Sequence, residues 1–227
     1  MTTPSPTLLF DIDGTLADTT YLHVVAWRRA FLDSGLDVAA AAIHSRIGMG
    51  AGQLMRDLVG EERPDVKDGW RRHFDELKPE IRAFPGAGDL LREVARRGGK
   101  VVLASSSEKD DVEALVAAID APEAVSGVTS AGDVGEAKPS PEVFQVALDQ
   151  AGGDRAAALV VGDTVWDVQA SGKAGMGCVG LRSGGIGTAE LDQAGALAVY
   201  RDPADLLEHL DASPLGRLLA DRSRQHS

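Results

Sequence analysis

The fold of this chain is decided by the stretch Leu8-Leu9-Phe10-Asp11-Ile12-Asp13-Gly14-Thr15-Leu16. A short apolar run, typical of a buried strand, delivers two acidic side chains, one residue apart, onto a tight turn. Carboxylates repel one another and resist burial, so this pair predicts a bound cation or a reaction. In an open parallel sheet, ligands bind at the carboxyl ends of the strands. The residues alone also allow a plain Asx turn after the strand, with Gly14 in an unusual backbone conformation.

Composition limits the classes of partner. The chain has 227 residues and a formal net charge of −12, which argues against nucleic acid and against anionic membrane surfaces as partners. Cys178 is the single cysteine, so an internal disulfide is impossible and a reducing cytoplasm is the expected location. The start of the chain lacks the features of a signal peptide, and no apolar stretch approaches the ~20 residues that span a bilayer. Nothing in the sequence demands more than a monomer.

Short apolar runs alternate with amphipathic segments from Phe84 onward, which predicts βα units and a parallel sheet. The predicted strands are Thr7–Asp11, Lys100–Ser105, Ala124–Thr129, Leu159–Gly162, Cys178–Leu181 and Ala198–Tyr200. The predicted helices between them are Gly88–Arg97, Asp110–Ile119, Pro141–Ala151 and Val165–Gly172. These elements predict an α/β fold. The polar tail, Leu215–Ser227, is expected to be partly disordered.

Between Asp18 and Ala83 the pattern changes to helical spacing without a convincing strand. The predicted helices here are Thr20–Gly35, Gly52–Val59 and Lys67–Leu77. We therefore predict a core formed by residues 1–17 and 85–227, and a small all-helical insertion at 18–84 that directly follows the first strand.

Three further motifs follow in order along the chain. Lys100–Ser105 is a strand that ends in a hydroxyl, Lys138 lies in Glu136-Ala137-Lys138-Pro139-Ser140-Pro141, and the strand Leu159–Gly162 leads to two acids, Asp163 and Asp167. With the first stretch, this series resembles the four motifs of the haloacid dehalogenase superfamily. The helical insertion is similar to the cap of its subfamily IA, the phosphoglycolate phosphatase and beta-phosphoglucomutase-like branch. The resemblance implies a Rossmann-like, three-layer core with a parallel sheet and a cap that closes over the active site.

The resemblance also implies catalytic roles. Asp11 would attack phosphorus and become phosphorylated, and Asp13 would protonate the leaving oxygen and then activate water. Ser105 would bind a phosphate oxygen, although the residues also allow it to cap the following helix. Lys138 would supply a fixed positive charge, its alternative being an ordinary surface lysine.

Mg²⁺ is the implied cofactor. Its ligands would be Asp11, Asp163 and the backbone carbonyl of Asp13, because a hard cation prefers oxygen. Asp167 would act without direct contact to the metal, through water or by orienting Lys138. Asp167 could equally be an ordinary acid in the first turn of a helix.

The cap is expected to choose the substrate. His23 is predicted to line the pocket, with the edge of the cap as the alternative. The segment Arg46-Ile47-Gly48-Met49-Gly50 falls where related caps present a specificity loop, so Arg46, Gly48 and Met49 are candidate substrate contacts. Met49 could instead be ordinary hydrophobic packing. Ser106, next to Ser105, is a further candidate.

These residues predict an enzyme, a Mg²⁺-dependent phosphatase of a small phosphate ester such as a sugar phosphate or phosphoglycolate. A beta-phosphoglucomutase-like phosphoryl transfer is the main alternative. Mutases of this branch place an arginine in the specificity loop, whereas this loop is rich in Gly and Met and Arg46 comes slightly early. A pyrophosphatase and a catalytically silent phosphate- or metal-binding module are weaker alternatives.

Overall fold

A single parallel sheet forms the centre of the computed structural model, which describes residues 5–225. Its strands are β1 (Thr7–Phe10), β2 (Lys100–Ala104), β3 (Val125–Thr129), β4 (Ala158–Gly162), β5 (Gly177–Leu181) and β6 (Ala198–Tyr200). The order is β3-β2-β1-β4-β5-β6, so the chain leaves β1 first to one side and then to the other. All six predicted strands are present, with boundaries that differ by one residue at most. The carboxyl ends of β1, β2 and β4 consequently meet at the point where the strand order reverses.

Helices cover both faces of the sheet because successive side chains of a strand point to opposite faces. Leu8 and Phe10 pack toward one face, and Leu9 packs toward the other. The first face is covered by α5 (Ala87–Arg96), α6 (Lys109–Ile119), α10 (Pro203–Glu208) and α11 (Pro214–Gln225). The second is covered by α7 (Glu142–Gln150), α8 (Val165–Lys173) and α9 (Thr188–Ala194). The predicted α/β, Rossmann-like fold of three layers is confirmed.

Four helices lie between β1 and α5: α1 (Thr20–Asp33), α2 (Ala40–His44), α3 (Ala51–Val59) and α4 (Pro64–Leu77). They enclose a hydrophobic cluster of their own, which includes Trp27, Phe31 and Leu54. The short helix α2 was not predicted. We propose residues 18–84 as the cap. Its entry and exit run side by side, since the Asp18 amide donates to the Arg82 carbonyl at 2.8 Å and the Phe84 amide donates to Leu16 at 2.9 Å.

The expectation of a partly disordered tail is wrong for most of its length. Residues 214–225 form α11, and Leu215 and Leu219 are buried against the core. The sequence Pro214-Leu215-Gly216-Arg217-Leu218-Leu219 places these leucines on one side of a helix, a signal that the polar composition obscured. Residues 226 and 227 lie outside the described residues. Among the residues that are described, no helix is long and apolar enough to cross a membrane.

Candidate active site

The turn after β1 holds both acids of the first motif. Asp11 is buried, and its amide donates to the Val161 carbonyl of β4 at 2.9 Å, which continues the sheet by one residue. Gly14 has φ +77°, the left-handed conformation that glycine adopts without strain. A Cβ on Gly14 would lie 2.3 Å from Oδ2 of Asp163. The turn therefore needs glycine for its backbone conformation and for its close approach to a second acid.

Lys138 joins the first and fourth motifs. It is 2% exposed, and its Nζ donates to Oδ1 of Asp11 at 2.7 Å and to Oδ1 of Asp167 at 2.8 Å. The other oxygen of Asp167 accepts from the amide and the hydroxyl of Thr164, at 3.0 and 2.6 Å. Thr164 in turn caps α8, so Asp167 is fixed by the start of that helix. Asp167 thus lies in the first turn of a helix and contacts Lys138, an arrangement compatible with both interpretations of Asp167.

Asp163 has one carboxylate oxygen that is satisfied and one that is not. Oδ1 accepts from the Thr15 hydroxyl at 2.9 Å, whereas Oδ2 is buried and has no hydrogen-bond partner among the described residues. A Cβ on Gly184 would lie only 1.7 Å from that oxygen. Sequence analysis missed Gly184, since its role comes from a contact across the fold.

The carboxylates of Asp11, Asp163 and Asp167 approach one another closely, with one oxygen of each within 4.8 Å of the others. Burial raises the pKa of Asp11 to about 7; the charge of Lys138 opposes this shift, and the neighbouring Asp167 adds to it. Burial, together with the charges of Asp167 and Asp11, raises the pKa of Asp163 well above its usual range. One lysine does not balance three buried acids. The orphan oxygen of Asp163 and the acid-rich donor set fit a hard divalent cation such as Mg²⁺.

Asp13 is surrounded by a different set of groups. Thr19 Oγ1 donates to its Oδ1 at 2.7 Å, Ser107 Oγ donates to its Oδ2 at 2.8 Å, and His23 Nε2 lies 3.2 Å from Oδ1. Burial alone would raise the pKa of Asp13, but the contact with His23 and the two hydroxyl bonds outweigh it and lower the pKa to about 2. The His23 ring is held by stacking on Phe74, with 4.1 Å between ring centroids. Sequence analysis did not single out Thr19 or Ser107.

The three serines after β2 differ in environment. Ser105 is fully buried, and its Oγ accepts from the Ser107 amide at 3.0 Å. Ser106 and Ser107 line the cavity, and Ser106 Oγ is buried without a hydrogen-bond partner among the described residues. Among these three serines, Ser107 is the one whose hydroxyl donates to Asp13, and a contact of Ser105 with phosphate stays a prediction.

A cavity of about 660 Å³ lies over these residues, between the core and the cap. His23, Gly48 and Met49 are among the residues that line it. Met49 also packs into the hydrophobic cluster of the cap, as its alternative interpretation proposed, and its contact with substrate stays a prediction. Gly48 has φ +96°, and a Cβ there would lie 3.0 Å from Thr164. Gly48 and Gly50, which have no side chain, allow this loop of the cap to pack directly against the core.

Arg46 is not among the described residues that line the cavity. Its Nε lies 3.4 Å from Oδ2 of Asp57 and its Nη1 donates to Ser45 Oγ at 2.7 Å, so its charge is used within the cap. The prediction that Arg46 contacts substrate therefore has no support in this geometry. Proximity in sequence to the loop did not fix the direction of a long side chain.

Residues 8–181 match the family described as haloacid dehalogenase-like hydrolase. The chain belongs to this family. The match spans the four motifs and the cap, and it confirms the resemblance drawn from the sequence. Haloacid dehalogenase-like relatives with curated names include Protein CbbY of Cereibacter sphaeroides, which is 30% identical over 192 residues, 76% of this chain and 82% of its own. Another is a phosphoglycolate phosphatase of Pseudomonas putida, 28% identical over 94% of this chain and 83% of its own.

The solved structures agree with the haloacid dehalogenase-like assignment. A hydrolase from Pseudomonas syringae is 33% identical, with a TM-score of 0.85, and the match covers 92% of this chain and 99% of that one. Its fold and the names of the curated relatives are consistent with the branch that the sequence indicated.

Proposed function

We propose that this chain is a phosphatase of small phosphate monoesters that depends on Mg²⁺ and works through an aspartyl phosphate on Asp11. The observation that carries the proposal is a group of three buried side chains, Asp11, Lys138 and Asp163, beside the cavity between the core and the cap, which Asp11 and Lys138 line. A phosphatase also agrees with the phosphoglycolate phosphatase among the relatives.

Asp11 is the proposed nucleophile. An oxygen of its carboxylate forms a bond to phosphorus while the bond from phosphorus to the ester oxygen breaks. Lys138, 2.7 Å away, holds the carboxylate in place and offsets the negative charge of the phosphoryl oxygens. Ser106, with its free buried hydroxyl, and Ser105 are proposed to position those oxygens.

Asp11, Asp163 and the backbone carbonyl of Asp13 are the proposed Mg²⁺ ligands. The bound ion supplies positive charge that neutralises the phosphoryl oxygens and lets a carboxylate approach them. Asp167 already has both oxygens occupied by Lys138 and Thr164, so it is proposed to act on Lys138 instead.

Asp13 is the proposed acid and base. In the first step its proton passes to the leaving ester oxygen, which departs as an alcohol. In the second step Asp13 takes a proton from the water that attacks the aspartyl phosphate, releasing inorganic phosphate and restoring Asp11. The contacts from His23, Thr19 and Ser107 favour the ionised base. The negative charge of an arriving phosphate works in the opposite direction and favours the protonated acid.

The mutase alternative lacks the arginine that its specificity loop would need, because Gly48 and Gly50 have no side chain and Arg46 pairs with Asp57. Phosphate release from a panel of small esters, with Mg²⁺ or with a chelator, tests the proposal. The panel includes beta-glucose 1-phosphate with a trace of the 1,6-bisphosphate. We expect Mg²⁺-dependent phosphate release. Formation of glucose 6-phosphate with little free phosphate would favour the mutase, and no turnover at all would favour a silent module.

Stabilisation by Mg²⁺ is expected to depend on pH. Because the pKa of Asp11 is raised to about 7 and that of Asp163 is also raised, the folded metal-free protein binds protons more tightly than the unfolded chain. At low pH, protonation of Asp11 and Asp163 raises the free energy of unfolding. This contribution is lost as the pH rises from 3.8, the ordinary pKa of an aspartate, toward about 7, the pKa of Asp11 in the folded protein. Mg²⁺ replaces those protons.

The rise in Tm on adding Mg²⁺ should therefore be larger at about pH 8 than at about pH 5.5, by several degrees. Thermal unfolding with and without Mg²⁺ at the two pH values measures it. The Asp163→Asn variant is the control, because it should show little rise at either pH. An equal rise at both pH values in the unaltered protein would contradict the assignment of these ligands.

A further inference from the structure

Two cations from the cap face the cavity at a distance along the chain from the catalytic motifs. Arg71 of α4 and Lys78, just after α4, line the same cavity as Asp11 and Lys138. Free cations in this position would suit a second anionic group on the substrate, such as another phosphate or a carboxylate. Their actual partners decide whether they are free.

Both cations are held by one buried acid of the core. Asp111, in the first turn of α6, is 3% exposed. Its Oδ2 lies 2.5 Å from Nη1 of Arg71, and its Oδ1 lies 2.6 Å from Nζ of Lys78. Lys78 has a second partner in Asp75, and the Arg71 guanidinium lies over the Trp70 ring. A buried carboxylate needs such partners, so a substrate would have to compete with Asp111 for either cation.

The other charged groups around the cavity are mostly acidic. Asp68, Glu108 and Asp110 line it, and none of them forms an ion pair with any described residue. Among the described residues of the lining, Lys67 is the one further cation. Beyond the reacting centre, the cavity therefore carries more negative than positive charge and repels a second anion.

The remaining wall on the cap side is apolar. Trp27 and Trp70 stack with 5.1 Å between ring centroids, and Met49 and Leu54 lie in the same lining. Aromatic faces suit an uncharged body with apolar C–H surface. The apolar wall and the excess of acidic groups therefore both favour a ligand whose remainder is uncharged.

We propose that the cavity accepts phosphate esters whose remainder is uncharged and rejects esters that carry a second anionic group. Asp111 is the specificity-determining residue, because it occupies Arg71 and Lys78. The inference rests on the phosphatase activity proposed above and narrows its substrate class to esters such as sugar phosphates, so phosphoglycolate, which carries a carboxylate, is set aside.

Matched ester pairs test this inference. Glycerol 1-phosphate and 3-phosphoglycerate differ by a hydroxymethyl group against a carboxylate, and fructose 1-phosphate and fructose 1,6-bisphosphate differ by one phosphate. We expect kcat/KM to favour the uncharged member of each pair by about tenfold or more. Asp111→Asn should move that ratio toward the anionic member by about tenfold, because Arg71 and Lys78 become available. Glu113→Gln, the same change of charge on the exposed side of α6, should leave the ratio unchanged.

Two further measurements test the inference even if the Asp111→Asn variant does not fold. Glu108→Gln should shift the ratio in the same direction by about threefold, and added salt should narrow the ratio of the unaltered protein by screening the repulsion. Preference for the anionic members, or a ratio that neither the variants nor salt change, would overturn the inference.

Calorimetric binding of the same pairs to Asp11→Asn separates this inference from the proposed function. Tighter binding of the uncharged members without hydrolysis of any ester by the unaltered protein would support the charge preference and refute the phosphatase. Hydrolysis together with tighter binding of the anionic members would refute only the charge preference.

Discussion

Replacing Asp11 with asparagine is expected to lower kcat for phosphate release by about four orders of magnitude or more, because an amide cannot serve as the nucleophile. The fold should survive, since asparagine has nearly the same shape and Asp11 is a buried acid whose ionisation already costs stability, as its pKa of about 7 indicates. Phosphate release and the Tm without Mg²⁺ measure the two effects. We expect the metal-free variant to melt at or above the temperature of the unaltered protein near pH 8.

Asp18→Asn provides a matched control, because it makes the same chemical change in an exposed residue of the same segment. Activity close to that of the unaltered protein is expected there. Near-normal phosphate release in Asp11→Asn would refute the assignment of the nucleophile.

Asp13→Asn is expected to lower kcat by about two to four orders of magnitude, because both proposed steps lose their proton carrier. The loss should depend on the leaving group. An ester of p-nitrophenol departs without a proton, so its first step should proceed and the second should remain slow. Rapid mixing with this ester is therefore expected to give a burst of about one p-nitrophenol per enzyme, followed by slow turnover.

Ser107→Ala is a milder change with which Asp13→Asn can be compared. It removes one of the three contacts to the Asp13 carboxylate and leaves the acid itself, so a smaller loss and no burst are expected. Equal losses for activated and unactivated esters in Asp13→Asn would contradict its role as an acid.

The core could be predicted from the sequence because its signals are local. The alternation of Leu8 and Phe10 with Leu9 needs only the two-residue period of a strand, and the acids that follow strand ends meet because the sheet is parallel. Four helices that were not predicted have weaker signals. Three of them, α2, α9 and α10, are short, and α11 carries its buried leucines within a polar composition.

The site was predictable where a motif ends a strand and not where contacts cross the fold. Gly184 and Asp111 act through neighbours 21 or more positions away, namely Asp163 for the first and Arg71 and Lys78 for the second. The side chain of Arg46 likewise points toward Asp57, which lies on the next helix of the cap. Loop and long-side-chain contacts of this kind follow from the assembled fold, because no local pattern encodes them.

The central claim is that Asp11 carries the phosphoryl group during turnover, and mass spectrometry of the quenched enzyme tests it most directly. Asp13→Asn with Mg²⁺ and p-nitrophenyl phosphate should accumulate the intermediate, and acid quenching within the burst should preserve it. We expect one phosphoryl group on the peptide that contains Asp11, and none when Asp11 is also replaced with asparagine. A phosphoryl group on another residue, or a burst with no covalent species, would contradict the account.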